Sequence, residues 1–195
     1  MNHGNRLAIP LLFVLAFATF KTLTLGQSRA ADIAEIDSYT KDVDAFIKRN
    51  SKSRRIFGDA APYNENKPRW REFKTDAQAD KANLYNSAYV WTRDGKVIGA
   101  NFTFSSPSGD WAHFVMYYFR EDGSLAKIQG RLNIFYGNVS VVRNRYFNSS
   151  GTRLSSTQRF LDLKTQKPTK KPSEYFDQPE PLYRKVSDLP FHRLL

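Results

Sequence analysis

The sequence contains no cysteine and only three histidines. Without thiols the chain has no disulfide bonds, no cysteine-ligated metal site and no lipid anchor on an N-terminal cysteine. An H-E-x-x-H metal motif, a G-x-S-x-G nucleophile motif and a phosphate-binding glycine loop are also missing from the sequence. We therefore expect neither a metal nor a cofactor, and any enzymatic site has to come from scattered side chains.

Long hydrophobic runs are scarce as well, and the one clear example is the 14-residue stretch from Leu7 to Phe20. Arg6 precedes this run, and Ser28 and Ala30 supply the small residues at positions −3 and −1 of a cleavage site. The run is shorter than the roughly 20 residues that a membrane-spanning helix needs. The pattern predicts a cleaved signal peptide over residues 1–30, with an uncleaved anchor as the alternative.

A signal peptide makes the mature chain secreted or periplasmic rather than integral to the membrane, and a eukaryotic secreted protein with acceptors at Asn101, Asn138 and Asn148 is the alternative to a bacterial one. Cleavage removes three basic and no acidic residues from a net charge of +11, which leaves +8. Export also makes nucleic acid an unexpected partner, although the chain is basic.

After the cleavage site, apolar residues recur at helical spacing: Ile33, Ile36, Tyr39, Val43, Phe46 and Ile47. This spacing predicts an amphipathic helix over residues 32–49 that is capped by Asp32 and ends near Asn50. Residues 51–68 contain Gly58, Pro62 and Pro68 and predict an irregular loop. Residues 69–75 form at most a weak strand.

Three aromatic-rich segments then run into glycine turns at Gly95, Gly123 and Gly151, which are each 28 residues apart. A hairpin of two strands is the simplest unit of that length, and Asp-Gly favours a two-residue hairpin turn. The predicted fold is an α+β domain over residues 31–164, with a six-strand antiparallel up-and-down β-meander curved around one N-terminal helix. A Lys/Pro-rich tail, residues 165–195, packs on the domain or is partly disordered.

The predicted hairpin register defines two faces of the sheet. A two-residue turn at Asp94-Gly95 places Trp91 opposite Ile98 and Tyr89 opposite Ala100, on an apolar face that we expect the helix to cover. A turn at Asp122-Gly123 places Phe119 opposite Ala126. The reverse face is also apolar around Met116 and needs a second cover, for which the tail and a homodimer partner are the candidates.

The same register predicts a binding site. With a two-residue turn at Gly137-Asn138, it places Arg143 opposite Leu132 and Arg145 opposite Gly130 on the core face. Two inward guanidinium groups beside a missing side chain suggest an anion pocket. The alternatives are that these arginines pair with helix acids at Glu35, Asp42 or Asp44, or that they lie in water at an open edge of the sheet. The predicted ligand-binding residues are Arg143, Arg145, His113, Gln158, Tyr117 and Trp111.

These features favour an exported non-enzymatic binding protein for an amphipathic anionic small molecule or for an anionic envelope surface. One alternative is a small metal-independent enzyme with a cone-shaped cavity, in which His113 is the general acid or base and Arg143 stabilises an oxyanion. Another is an envelope scaffold or interaction protein with no small-molecule site. A cavity that touches His113 distinguishes the enzyme from the other two.

Overall fold

A computed structural model describes residues 13–63 and 65–195 of the chain. This part of the chain forms one antiparallel sheet of eight strands, two α-helices and a C-terminal tail. Residues 1–12 of the predicted signal peptide lie outside the described residues. Among the helices that are described, none combines the length and the apolar character that a membrane span requires.

The helices and strands follow one another in a simple order along the chain. They are α1 (Phe13–Arg49), β1 (Arg55–Asp59), β2 (Trp70–Phe73), α2 (Asp76–Lys81), β3 (Asn86–Arg93), β4 (Lys96–Ser105), β5 (Trp111–Phe119), β6 (Leu125–Ile134), β7 (Val139–Phe147) and β8 (Arg153–Asp162). The strands lie side by side in the order β2-β1-β3-β4-β5-β6-β7-β8. Strands β3 to β8 are therefore a continuous up-and-down meander.

The antiparallel meander and the α+β character are confirmed, but the prediction of six strands is wrong. Two strands, β1 and β2, lie in the region predicted as a loop and a weak strand, and they pair with each other through Ile56 and Phe73. Gly58 misled the prediction, because it lies inside β1. A Cβ atom at this position would lie 2.2 Å from Leu84 Cδ1, so the glycine allows Leu84 to pack closely against the strand.

Helix α1 also differs from its prediction at one end. It ends at Arg49, as predicted, but it begins at Phe13 rather than at Asp32. Asp32 therefore lies within the helix and does not cap it. The predicted cleavage site at Ala30 falls inside this continuous helix of the full chain.

The three glycine turns are confirmed in position, with φ angles of +74° at Gly95, +80° at Gly123 and +79° at Gly151. Only the first is the predicted two-residue turn, because Asp94 also has a positive φ, at 51°. The other two loops are longer: the Gly123 amide donates to the Arg120 carbonyl at 2.9 Å, and the Arg120 amide to Ser124 at 2.8 Å.

These details correct the predicted register. A β-bulge shifts the pairing at Trp91, which lies opposite Gly99 rather than Ile98, and Tyr89 lies opposite Asn101 rather than Ala100. Because side chains alternate between faces, this one-residue shift exchanges the two faces of β3 relative to β4. A second bulge pairs Phe119 with Leu125 rather than Ala126.

Between β6 and β7 the turn is two residues longer than predicted, since Ile134 pairs with Val139. Arg143 consequently lies opposite Gly130, and Arg145 lies opposite Ile128, each two positions from its predicted partner. A shift of two residues keeps every side chain on its original face. The arginines thus remain on the predicted side of the sheet.

Both faces of the sheet are covered, but each has the cover predicted for the other. We call the side that carries Met116 and Tyr118 the helix face, because Val43 of α1 packs there against Tyr118. The Tyr118 hydroxyl donates to Asp44 Oδ1 at 2.9 Å, and Lys127 Nζ donates to Asp37 Oδ1 at 2.7 Å. The prediction that the helix covers the opposite, Tyr117 side is wrong.

The tail covers the other side, which we call the tail face. Leu189 and Phe191 of the tail are buried within the main hydrophobic core, and the Phe191 ring stacks on Phe57 with 4.2 Å between centroids. Tyr183 packs against Phe102 in the same core. The C-terminal segment is therefore an integral layer of the domain.

Candidate functional site

The predicted site residues lie on adjacent strands of the tail face. Arg143 and Arg145 come from β7, Gln158 pairs with Arg143 from β8, and His113 comes from β5. Gly130 of β6 lies directly beside Arg143. The sheet thus brings the predicted polar residues together around a position that has no side chain.

That position is filled by Glu180 of the tail, which is only 7% exposed. A Cβ atom added at Gly130 would lie 2.3 Å from Glu180 Oε1, so the carboxylate occupies the space that the glycine leaves. Glu180 Oε2 lies 2.8 Å from Arg145 Nη2, and Oε1 lies 3.5 Å from Arg143 Nη1. The anion between the two arginines therefore belongs to the chain itself.

The surrounding charges keep this carboxylate ionised. Burial alone would raise the pKa of Glu180, but the proximity of His113 Nε2 and the positive charges of Arg145 and Arg143 outweigh burial and hold the pKa below its ordinary value. Asp177 of the tail forms a further ion pair with Arg143. The alternative prediction of helix acids as partners is wrong, because the acids come from the tail.

The remaining predicted site residues also contact the tail. The Tyr117 hydroxyl donates to the Pro181 carbonyl at 2.8 Å, and burial raises the pKa of this tyrosine. Gln158 Nε2 donates to the Tyr175 hydroxyl of the tail at 3.3 Å, and its Oε1 accepts from Arg143 Nε at 3.2 Å. Trp111 stacks on Phe176 with 5.2 Å between ring centroids. Tail residues thus cover the side chains that were predicted to bind a ligand.

His113 has no access to solvent in this arrangement. Its side chain is completely buried, and Nε2 lies 3.4 Å from Glu180 Oε1, although neither ring nitrogen has hydrogen-bonding geometry toward a partner within the described residues. A substrate could reach His113 only after the tail had moved. His113 is absent from the lining of the two cavities described below, and a catalytic role for it stays a prediction.

An open cavity lies next to this buried cluster, at the turn between β7 and β8. It has a volume of about 420 Å³ and we call it the turn cavity. Its lining comes from the end of β7, the turn, the start of β8 and the tail: Arg145, Phe147, Ser150, Gly151, Thr152, Arg153, Leu182 and Arg184. Arginine is the only charged residue type among these.

The three arginines of the turn cavity differ in their partners. Arg145 is paired with Glu180 on one edge of its guanidinium, while its Nε atom is buried without a hydrogen-bond partner among the described residues. Arg184 Nη1 donates to the Gly151 carbonyl at 2.8 Å. Over residues 13–63 and 65–195, neither Arg153 nor Arg184 forms an ion pair. The cavity therefore carries uncompensated positive charge.

A larger cavity of about 560 Å³ lies between α1 and the sheet, and its lining includes Asp32, Glu35 and Glu121. The guanidinium of Arg120 also lines it but donates to the carbonyls of Leu125 at 2.7 Å and Phe147 at 2.6 Å. Three acids and one backbone-bound arginine make this cavity a poor site for an anion.

Metal binding has no obvious location in the described part of the chain, where no group of three or more His, Asp or Glu side chains has the proximity to hold an ion. Comparison of the chain with protein-family models, with curated proteins and with solved structures finds no match. The geometry of the cavities and of the buried cluster is thus the basis for a functional proposal.

Sequence reasoning missed Glu180, Asp177, Arg153 and Arg184. The two acids lie in a tail without periodicity, so no pattern linked them to β7. Arg153 and Arg184 stand out only once the β7–β8 turn and the tail are seen to meet at Gly151. Of these four residues, only Arg153 is close to the third glycine turn in the sequence.

Proposed function

We propose that this chain is an exported binding protein that holds an amphipathic anionic small molecule in the turn cavity. The observation that carries the proposal is the convergence of Arg145, Arg153 and Arg184 on one cavity whose lining contains no acidic residue. Guanidinium groups bind carboxylates and phosphates through paired hydrogen bonds, and they remain charged at every physiological pH.

The size and the other lining residues of the turn cavity support a small amphipathic ligand. Its volume of about 420 Å³ falls within the usual range for small-molecule sites. Phe147 and Leu182 offer apolar contacts, and the hydroxyl groups of Ser150 and Thr152 offer further hydrogen bonds. A charged head group and a short apolar body match this combination.

This proposed site keeps only one residue of the predicted set, Arg145. Arg143 and His113 are engaged by Glu180, and Gln158, Tyr117 and Trp111 contact the tail. The ligand therefore binds beside the predicted pocket rather than within it. An anionic envelope surface remains the broader form of the same proposal, because it presents the same chemical groups.

Isothermal titration calorimetry with octyl phosphate, octanoate and the uncharged octyl glucoside tests the proposal. We expect binding of at least one of the two anions and none of the glucoside. Arg153→Ala should weaken binding roughly tenfold or more, since hydrogen bonds to a charged group contribute about 1.5–3 kcal/mol.

Arg159→Ala is the matched control, because Arg159 is an exposed arginine of the same strand whose partner Val142 lies on the helix face. We expect its affinity to equal that of the wild-type protein. Equal loss in both variants would show only a general effect of charge, and absence of binding by the wild-type protein would overturn the proposal.

A further inference from the structure

The turn cavity has walls from two separate parts of the chain. Arg145 and Arg153 belong to the β7–β8 hairpin, whereas Leu182 and Arg184 belong to the C-terminal tail. The tail is held at this point by the Arg184 carbonyl, which accepts from the Leu125 amide at 2.9 Å. The cavity is therefore complete only while the tail lies against the hairpin.

Two unpaired like charges, Arg153 of the hairpin and Arg184 of the tail, meet at this junction, and their repulsion opposes the docking of the tail. Glu180 balances Arg145, but no acidic side chain lines the cavity to balance Arg153 and Arg184. A bound anion removes this repulsion and adds hydrogen bonds to both sides of the junction. An anion with two charges and three terminal oxygens can accept from three guanidinium groups at once, which a single carboxylate does less well.

Resting on the proposed function, we infer that the head group of the ligand is a dianion of the phosphate-monoester class. It bridges Arg184 of the tail to Arg145 and Arg153 of the hairpin, and it thereby holds the tail on the sheet. Leu182 lies on the tail side of the same cavity and contacts the apolar part of the ligand. Ligand binding and docking of the tail are then thermodynamically coupled.

The linkage between them is reciprocal. If the docked tail raises the affinity for the ligand, the ligand must stabilise the docked tail by the same factor. This effect is local to the tail and the hairpin. It differs from the general stabilisation that any ligand of the folded state produces, which slows exchange only through global unfolding.

Hydrogen–deuterium exchange with and without octyl phosphate tests the inference. The reporter amides are those of Arg184, Val186, Asp188 and Leu189, which form hydrogen bonds in the docked tail. Amides of α1 between Ile36 and Ile47, on the helix face, are the internal control. We expect slower exchange in the tail with little change in α1, and a smaller effect with octanoate at equal saturation.

Arg184→Gln completes the test, because it removes the charge on the tail side and leaves both hairpin arginines in place. We expect roughly tenfold weaker binding of octyl phosphate and loss of the tail protection. Circular dichroism checks that the variant is folded, and Arg184→Lys serves as a second variant that keeps the charge but loses the bidentate geometry.

The outcomes separate this inference from the proposed function. If the wild-type protein binds none of the anions, the proposed function fails. If it binds octyl phosphate but the tail and α1 are protected equally, or if Arg184→Gln binds as tightly as the wild-type protein, the bridging inference is wrong and the proposed function stands. Tighter binding of octanoate than of octyl phosphate would overturn the choice of a dianion.

Discussion

Glu180 joins the tail to the sheet through charge rather than through apolar contact. A buried carboxylate is costly unless several donors surround it, and here Arg143, Arg145 and His113 all lie within 3.5 Å of its oxygens. Replacing one member of such a cluster leaves the others buried without a partner, which is the expensive case. This charged cluster, which we call the Glu180 lock, therefore fixes the tail to the sheet at a specific position.

The acid sensitivity of the fold should depend on this lock. The folded pKa of Glu180 lies below its ordinary value, so its contribution to stability is fully present above about pH 4.3 and is lost as the pH falls through the folded pKa. We expect urea-unfolding midpoints of the wild-type protein to decrease below about pH 4.3. Glu180→Gln should be less stable at pH 7 and show a weaker dependence on acid.

Glu174→Gln provides the control for this measurement, because Glu174 is an exposed glutamate of the same tail with no ion pair in the described structure. Its unfolding midpoints should follow those of the wild-type protein at every pH. If the unfolding midpoint of Glu180→Gln decreases with acid as steeply as that of the wild-type protein, the acid sensitivity belongs to other groups. Asp37, which lies beside Lys127, is the first candidate.

At the residue scale, alternation along β7 was enough to predict that Arg143 and Arg145 share a face near Gly130. We predicted that this arrangement binds an anion, and the carboxylate of Glu180 lies there. What sequence could not supply is the source of the anion. Glu180 is remote from β7 along the chain, and nothing in local spacing relates a tail residue to a strand face.

At the scale of elements, a single β-bulge decided which side chains of β3 face the core. With Ile98 as the extra residue, Val90 and Ala88 lie opposite Ala100 and Phe102 on the tail face. The predicted pairing through Tyr89 and Trp91 looked equally apolar, so the hydrophobic pattern alone did not favour either register. Aromatic residues on both faces of a strand remove the signal that normally fixes its orientation.

The tail is the element whose contribution to stability is easiest to measure. Phe191 is 2% exposed and stacks on Phe57, so Phe191→Ala should destabilise the domain by about 3–5 kcal/mol. Leu194 lies three residues further on and is 41% exposed, so Leu194→Ala should change stability by much less. Urea unfolding of the two variants at neutral pH compares them, and equal effects would mean that the tail is not part of the cooperative unit.

Sequence patterns predicted the elements with regular spacing and failed for the others. The hairpins of β3 to β8 repeat with glycine turns, and the sequence predicted them. Strand β1 has only five residues, one of which is Gly58, and β2 has only four, so neither shows a clear alternation of apolar and polar residues. The apolar residues of the tail have no regular spacing, so no local pattern predicted which of them are buried. Their burial depends on tertiary contacts such as the stack of Phe191 on Phe57.

At the scale of the whole molecule, several polar contacts from α1 to the sheet come from residues that follow the predicted cleavage site. Asp37, Tyr39 and Asp44 form these contacts, with Tyr39 bound to the Phe119 carbonyl. Cleavage after Ala30 would leave all three in place. The predicted signal peptide is thus compatible with a helix that is continuous in the full chain.

Sequencing of the mature N-terminus tests the predicted export directly. After expression of the full chain in a bacterium, we expect the protein in the periplasm or medium to begin at Ala31. Substitution of Ala30 by Leu should slow processing, since position −1 requires a small residue. Recovery of a chain that still starts at Met1 from the same fraction would contradict the prediction.

The closing of the core by the tail sets the order in which this protein can fold. Phe57 lies in the first strand and Phe191 in the tail, so the apolar surface of the tail face stays exposed until the tail has docked on the sheet. Contacts between such distant segments form late and slow the folding reaction. We therefore expect the core of the tail face to form later than the local hairpins of β3 to β8.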